Sequence, residues 1–379
     1  MLSSTRAREA WLAVGVHLAA RAASLVVMFV AGGILNESAY RQFVRWDAHW
    51  YRRIAESGYG HSQVVADGRT LVDYAFFPLY PGLERVMADA TGLRILDAGL
   101  AISAASAIVA AVGILFVGRT VADGPTGVLL VALWSTLPIA NVQSMAYAES
   151  LFTALAAWSL FFVLTERFAF AGALALLAGL TRPLGAALAV AVWVGAIGYL
   201  RRHPSARPMQ HWSDGPLIGP IVGLVLAPLG CLAFLFYVAL KKHSLVGYFQ
   251  VAKQWHNNLD GGVAFFSWLL SLILSNAFIL GVLLVAGVSL LILQVWFLVR
   301  DRYPLPLIVF VALSIVVTLS TSGYFGSKPR YLLPVFPLLL PLATRVKRMK
   351  RATRITVVVL SGVISATYGA VWLFGPGPP

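Results

Sequence analysis

The chain has 379 residues, 59% of them hydrophobic and 12% charged, with a mean hydropathy of +0.80. Soluble domains carry roughly 25% charged residues, so this composition excludes a soluble globular protein and defines a polytopic membrane protein of the all-α class. The formal net charge of +14 does not point to nucleic acid, because the basic residues are interspersed among apolar runs, where they act as topogenic signals and attract anionic headgroups.

Hydropathy predicts about eleven membrane spans in one transmembrane domain covering 1–379, at 10–33, 97–118, 124–141, 148–166, 168–182, 183–200, 216–240, 264–299, 304–321, 331–345 and 355–374. The 264–299 stretch reads as one long or broken helix with a break near Asn276. The first apolar run, Trp11 to Gly32, is of spanning length without a small-residue cleavage site, so it is expected to remain as a helix. With the N-terminus in the cytoplasm, the short inner segments hold Arg6 and Arg8, Arg119, Arg167, Arg201 with Arg202 and Arg207, Arg300 with Arg302, and the cluster from Arg345 to Arg354. Dense basic clusters beside short loops are what orient a membrane protein. Outward loops then fall at 34–96, 142–148, 241–263 and 322–330, and Asp47, Glu56, Asp67, Asp73, Glu84, Asp89, Glu149 and Asp260 all fall on that side or at its edge.

Arg21 lies near the middle of the first span with His17 one turn away. Either the pair faces an internal cavity, or the span starts further along and Arg21 snorkels to the headgroups.

The first outer loop, 34–96, carries RWDAHWYRRIAESGY and then AFFPLYP. Wound at 100° per residue, 41–57 is expected to form an amphipathic helix lying along the interface, with Phe43, Trp46, Trp50, Tyr51 and Ile54 on one side and Arg41, Arg45, Arg52 and Glu56 on the other. Asp47 lands in the middle of the apolar side, where an ionised carboxylate costs several kcal/mol unless something compensates it. A residue of that kind in a membrane protein marks a functional site by default. His49 falls on the polar side, solvated or touching headgroups on one reading and in the site on the other. Gly58 to Thr70 is turn-rich and expected to be mobile, and AFFPLYP suits a chain at headgroup level.

Three later outward segments carry charge at span boundaries. Glu149 opens a helix, where the macrodipole alone could explain it. Thr181-Arg182-Pro183 and Ser327-Lys328-Pro329-Arg330-Tyr331 add cations that snorkelling could explain singly. Together they gather acids and cations around one outer cleft. The single cysteine, Cys231, lies in an apolar run, which excludes a disulfide framework and a thiolate metal site, and neither GxxxxGK[ST] nor HExxH occurs.

These parts suit transfer of a sugar from a lipid phosphate to a hydroxyl. A phosphate leaving group needs no general acid, so one carboxylate acting on the acceptor suffices, and Asp47 is that candidate base. The candidate substrate-binding residues around it are Arg45, Trp46, His49, Trp50, Tyr51, Tyr80, Tyr147, Glu149, Arg182, Lys328, Arg330 and Tyr331. The aromatic members would stack on a sugar ring and exclude water, and Lys328, Arg330 and Arg182 would hold the phosphate. The donor would be a polyprenyl carrier threading an apolar groove.

RWDAHWYRRIAESGY with AFFPLYP, then AYAESLF, LTRPLG and SKPRYLLPVFPL, resembles the PIG-V-type mannosyltransferases, the family containing the second mannosyltransferase of glycosylphosphatidylinositol assembly and its bacterial relatives, within the GT-C class of integral-membrane glycosyltransferases. The four blocks occur in the same order across most of the chain. The resemblance implies an inverting transfer of mannose from polyprenyl-phosphate-mannose with Asp47 as base, Glu149 and Arg330 in the pocket, and no nucleotide sugar, cofactor or obligatory metal. It also implies a bacterial plasma membrane with the site on the extracytoplasmic side. The acceptor would be a hydroxyl of a glycolipid, lipoglycan or protein, recognised without the large soluble C-terminal domain of some GT-C enzymes. Two other classes stay open: a transporter or flippase for a lipid-linked or anionic substrate, motivated by the span count and Arg21, and a non-catalytic scaffold.

Overall fold

The computed structural model describes residues 4–65, 67–203, 217–375 and 377, mostly as helix; Arg207 and the start of the 216–240 stretch lie outside the described residues. Among the described residues, five helices are long and apolar enough to cross a membrane: Thr5–Leu35, Ile95–Val121, Ile218–Lys242, Phe278–Arg300 and Arg351–Leu373. Five shorter apolar helices, Gly124–Ser135, Glu149–Leu164, Phe168–Gly179, Val263–Ile273 and Leu305–Leu319, accompany the 18-residue Gly185–Arg202. In Phe278–Arg300 only Gly281, Gln294 and Leu298 are buried, leaving Phe278, Ile279, Leu283 and Ile292 exposed. A helix apolar on all sides and exposed along its length needs lipid around it, so the chain is an integral membrane protein.

Small residues bring the central helices together. A Cβ built on Gly172 would fall 2.7 Å from the Gly223 Cα, and one on Gly230 would strike the Leu176 carbonyl oxygen, which lets Phe168–Gly179 press its backbone onto Ile218–Lys242. The break foreseen near Asn276 lies between Val263–Ile273 and Phe278–Arg300.

Two expected spans are not continuous helices. The 124–141 stretch stops at Ser135, followed by a single 3-10 turn, Ala140–Ser144, before Glu149. Irregular backbone inside a membrane protein requires protein partners for its polar groups, and Arg21 supplies two of them by donating to the carbonyls of Ser135 and Ala140. His17 Nδ1 lies 2.9 Å from Ser135 Oγ, Ser24 donates to Asn141 at 2.6 Å and Ser365 donates to the Leu137 carbonyl at 2.6 Å. Arg21 thus faces the protein interior and does not snorkel. The second interrupted stretch, 331–345, contains a 3-10 turn, Phe336–Leu339, and the helix Leu340–Lys347; Pro334, Pro337 and Pro341 remove the backbone donors a through-helix needs.

The first outer loop also departs from expectation. The 41–57 helix is two helices, Ala39–Phe43 and Asp47–Ser57, broken where Trp46 takes φ +52°. The apolar side of Asp47–Ser57 packs onto the protein helices Leu79–Thr91 and Ile95–Val121. The stretch expected to be mobile contains an antiparallel hairpin, Ser62–Val64 with Thr70–Val72, whose base is held by Asp73 Oδ2 accepting from the backbone N–H of Gly60 and His61. AFFPLYP packs into protein: Phe77 and Tyr80 are buried and Phe76 stacks on Trp50 with centroids 5.7 Å apart.

Candidate functional site

A tryptophan with positive φ is uncommon, and two tie-points fix this one. The Ala146 N–H donates to the Phe43 carbonyl at 3.0 Å, and the Tyr147 hydroxyl donates to the Arg45 carbonyl at 3.2 Å. The outer loop is thereby pinned to the segment that leads into Glu149–Leu164. The break makes Asp47 the first residue of its helix, and Glu149 is the first residue of its own. Both carboxylates occupy the end of a helix that favours negative charge.

Arg330, in the short turn Lys328–Tyr331, joins them. Its Nη2 lies 2.9 Å from Asp47 Oδ2 and its Nε 3.1 Å from Glu149 Oε1, while Arg182 pairs with the same Glu149 oxygen. Two cations and two anions balance, which is what permits charges at this depth. Burial pulls both guanidiniums down, but Asp47 and Glu149 outweigh it at Arg330, as Glu149 does at Arg182, and hold them above the usual arginine value. The Tyr331 ring sits 5.2 Å from each guanidinium carbon, and the Tyr147 ring 5.0 Å from that of Arg330. Burial raises the Tyr51 and Tyr147 hydroxyls well above the usual range. Arg330 Nη1 has no hydrogen-bond partner among the described residues.

The two carboxylates differ in access. Glu149 is 2% exposed and Asp47 22%, and Asp47 lines a cavity of about 280 Å³ with Tyr51, Arg182, Arg330 and Tyr331. Phe76, Phe77, Tyr248 and Trp255 complete aromatic walls, Thr181, Asn257, Thr318 and Thr321 add polar groups, and Phe249, Leu259 and Val317 form an apolar lip that is itself exposed. Asp47 is therefore ion-paired but not in bulk solvent.

Of the sequence-derived residues, Asp47, Tyr51, Arg182, Arg330 and Tyr331 meet in this cavity, with Glu149 and Tyr147 directly behind. Others do not. Arg45 stacks over Trp46 at 4.1 Å and donates to Gln42 Oε1 at 2.6 Å; with His49 and Trp50 they line a separate cleft of about 400 Å³. His49 is exposed. Tyr80 is fully buried, its hydroxyl 2.8 Å from the Gly99 carbonyl and 2.8 Å from Ser103 Oγ. Lys328 turns away from the cavity: its Nζ donates to the carbonyls of Thr318 and Thr321, at 2.6 Å each, and burial pushes the ammonium down to about 8. The third outer loop supplies Tyr248, Phe249, Trp255 and Asn257, which the sequence reading assigned no role. Their signal was the aromatic-and-amide run YFQVAKQWHNN in a loop already placed outside.

Among the described residues, two buried acids lie outside this network, Asp73 at the hairpin base and Glu84. Glu84, on Leu79–Thr91, is fully buried with neither carboxyl oxygen hydrogen-bonded among the described residues, against Gly99, where any Cβ would strike it. Burial pushes its carboxyl up to about 9 from an ordinary 4.5. A raised folded value means that stability is complete below the unfolded value and is lost as pH rises through the folded one. Melting curves from pH 5 to 9 should therefore show the protein losing stability with rising pH, and Glu84→Gln should flatten that slope and be the more stable form at pH 8. Parallel slopes in the two proteins would refute this.

Solved structures share the fold of this helical membrane bundle. ArnT from Cupriavidus metallidurans bound to undecaprenyl phosphate superposes with a TM-score of 0.55 at 16% identity, over 94% of this chain and 68% of that one. Its apo form gives 0.50 at 18% identity, over 90% and 61%. The archaeal oligosaccharyltransferase AglB from Archaeoglobus fulgidus, in complex with an inhibitory peptide and a dolichol-phosphate, gives 0.50 at 12% identity, over 95% and 56%. At these identities the likeness is one of fold. No protein-family model and no curated protein matches the chain.

Proposed function

We propose that the protein is an inverting glycosyltransferase that moves mannose from polyprenyl-phosphate-mannose to an acceptor hydroxyl at the extracytoplasmic face of a bacterial plasma membrane. The observation that carries this reading is the Asp47–Arg330–Glu149–Arg182 network set in the wall of an aromatic cavity with an apolar lip. Asp47, the accessible carboxylate, takes the proton of the acceptor hydroxyl. The hydroxyl oxygen then forms its bond to C1 of the sugar as the C1–O bond to phosphate breaks, and the electron pair leaves on the phosphate. Arg330 Nη1 and Arg182 stabilise that charge, with Glu149 keeping the two guanidiniums together. Phe249, Leu259 and Val317 suit a prenyl chain, and Tyr51, Phe76 and Trp255 suit a sugar face. That ArnT was solved with undecaprenyl phosphate and AglB with dolichol-phosphate supports a lipid-phosphate donor. The acceptor class is a glycolipid, lipoglycan or protein hydroxyl.

The test uses proteoliposomes supplied with radiolabelled polyprenyl-phosphate-mannose. Mannose should appear on acceptor; labelled lipid that only changes leaflet, with no covalent change, would instead identify a transporter. Arg330→Ala should lower turnover and raise the apparent KM for the lipid donor roughly 10–100-fold, the worth of a charge-assisted hydrogen bond, and raise that for acceptor much less. Equal effects on both substrates would count against a phosphate role.

A further inference from the structure

Lys328 has an environment unlike that of a substrate-binding cation. Its side chain is 5% exposed, its Nζ lies 2.6 Å from the Thr318 carbonyl, 2.6 Å from the Thr321 carbonyl and 3.3 Å from Thr321 Oγ1, and the rings of Phe265 and Phe325 stand 5.5 and 5.4 Å away. Leu305–Leu319 ends at these threonines, and a cation there satisfies carbonyls that the helix leaves without partners and faces the negative end of its dipole. Asp260, the acid whose charge is felt at Lys328, accepts from the N–H of Gly262 and Ala264. Thr318 and Thr321 line the cavity on their other side, and Thr321 bridges to Leu259 of the lip. Arg330 lies two residues on in the same four-residue turn.

We propose that Lys328 is a positioning residue, which clamps the Arg330 turn to the end of the Leu305–Leu319 helix and so sets the Arg330–Asp47 ion pair in the cavity wall. A turn this short has little internal stiffness of its own. Without the clamp, Arg330 keeps its charge but loses its fixed distance from Asp47. The consequence for donor binding rests on the glycosyl-transfer reading; the clamp itself does not.

The test is a double-mutant cycle on melting temperature, using Asp47→Asn and Arg330→Gln in the full-length protein, repeated with Lys328→Met. The two shifts should be non-additive with Lys328 present, and that coupling should fall by at least half in K328M; undiminished coupling overturns the proposal. Should K328M fail to fold, Lys328→Gln, which keeps two donor hydrogens, takes its place with a smaller loss expected, and unchanged coupling there again overturns it. A second readout titrates a long-chain polyprenyl phosphate. K328M should bind it about tenfold more weakly, and adding K328M to R330Q should cost less than about twofold more. Equal losses in both backgrounds would mean that Lys328 does not act through Arg330. Absence of binding by the unaltered protein would defeat the donor reading and leave the melting cycle to decide the clamp.

Discussion

Asp47→Asn is expected to lower mannosyl transfer about 10²–10⁴-fold, the range a positioned general base contributes, while leaving affinity for polyprenyl phosphate the same or tighter. The substitution keeps the shape of the side chain and the start of the Asp47–Ser57 helix, so the cavity wall stays in place. It removes the one site carboxylate that a hydroxyl can reach, since Glu149 is sealed behind both guanidiniums. Arg330, 2.9 Å from Asp47, is then freed toward the cavity, and an anion entering beside it no longer meets a carboxylate of like charge. Turnover should thus fall with no loss of lipid binding, which loss of folding cannot produce. Transfer within tenfold of the unaltered protein would show that another group takes the proton.

The residues of this site were largely legible before the structure, and their arrangement was not. Asp47 stood out because a carboxylate among Trp46, Trp50 and Tyr51 contradicts its surroundings, and Glu149, Arg182 and Arg330 because each is a charge at a predicted span boundary, all expected on one side. Burial asymmetry of that kind is written in composition. Helical winding nevertheless misplaced Asp47, which opens a helix instead of standing in the middle of one, because the positive φ of Trp46 depends on hydrogen bonds from Ala146 and Tyr147, about a hundred residues away. Lys328 shows the same limit: two cations separated by one proline read alike in sequence, yet one faces Asp47 and the other faces carbonyls of the preceding helix. Tyr80 was given to the site by its motif and lies packed against Ile95–Val121. Hydropathy found apolar stretches but could not tell a span from an interrupted segment at 124–141 and 331–345, where prolines and the donors of Arg21 decide the backbone.

Glu149→Gln should cost about 3–5 kcal/mol of stability, because removing one partner of a buried ion cluster leaves the other charges uncompensated. Glu149 touches both Arg182 and Arg330, and without its charge only Asp47 remains to offset two guanidiniums. The cavity wall becomes net positive at the place where the donor phosphate is proposed to sit. A phosphate bound there would supply the missing negative charge, so the rise in melting temperature on adding polyprenyl phosphate should be larger in E149Q than in the unaltered protein. The same compensation holds the phosphate more tightly before and after transfer, and binding that does not favour the transition state does not raise the rate. Turnover should therefore not rise even where the lipid restores stability. If E149Q melts with the unaltered protein and the lipid shift is the same in both, Glu149 carries no electrostatic share of the site and the helix dipole alone accounts for its position.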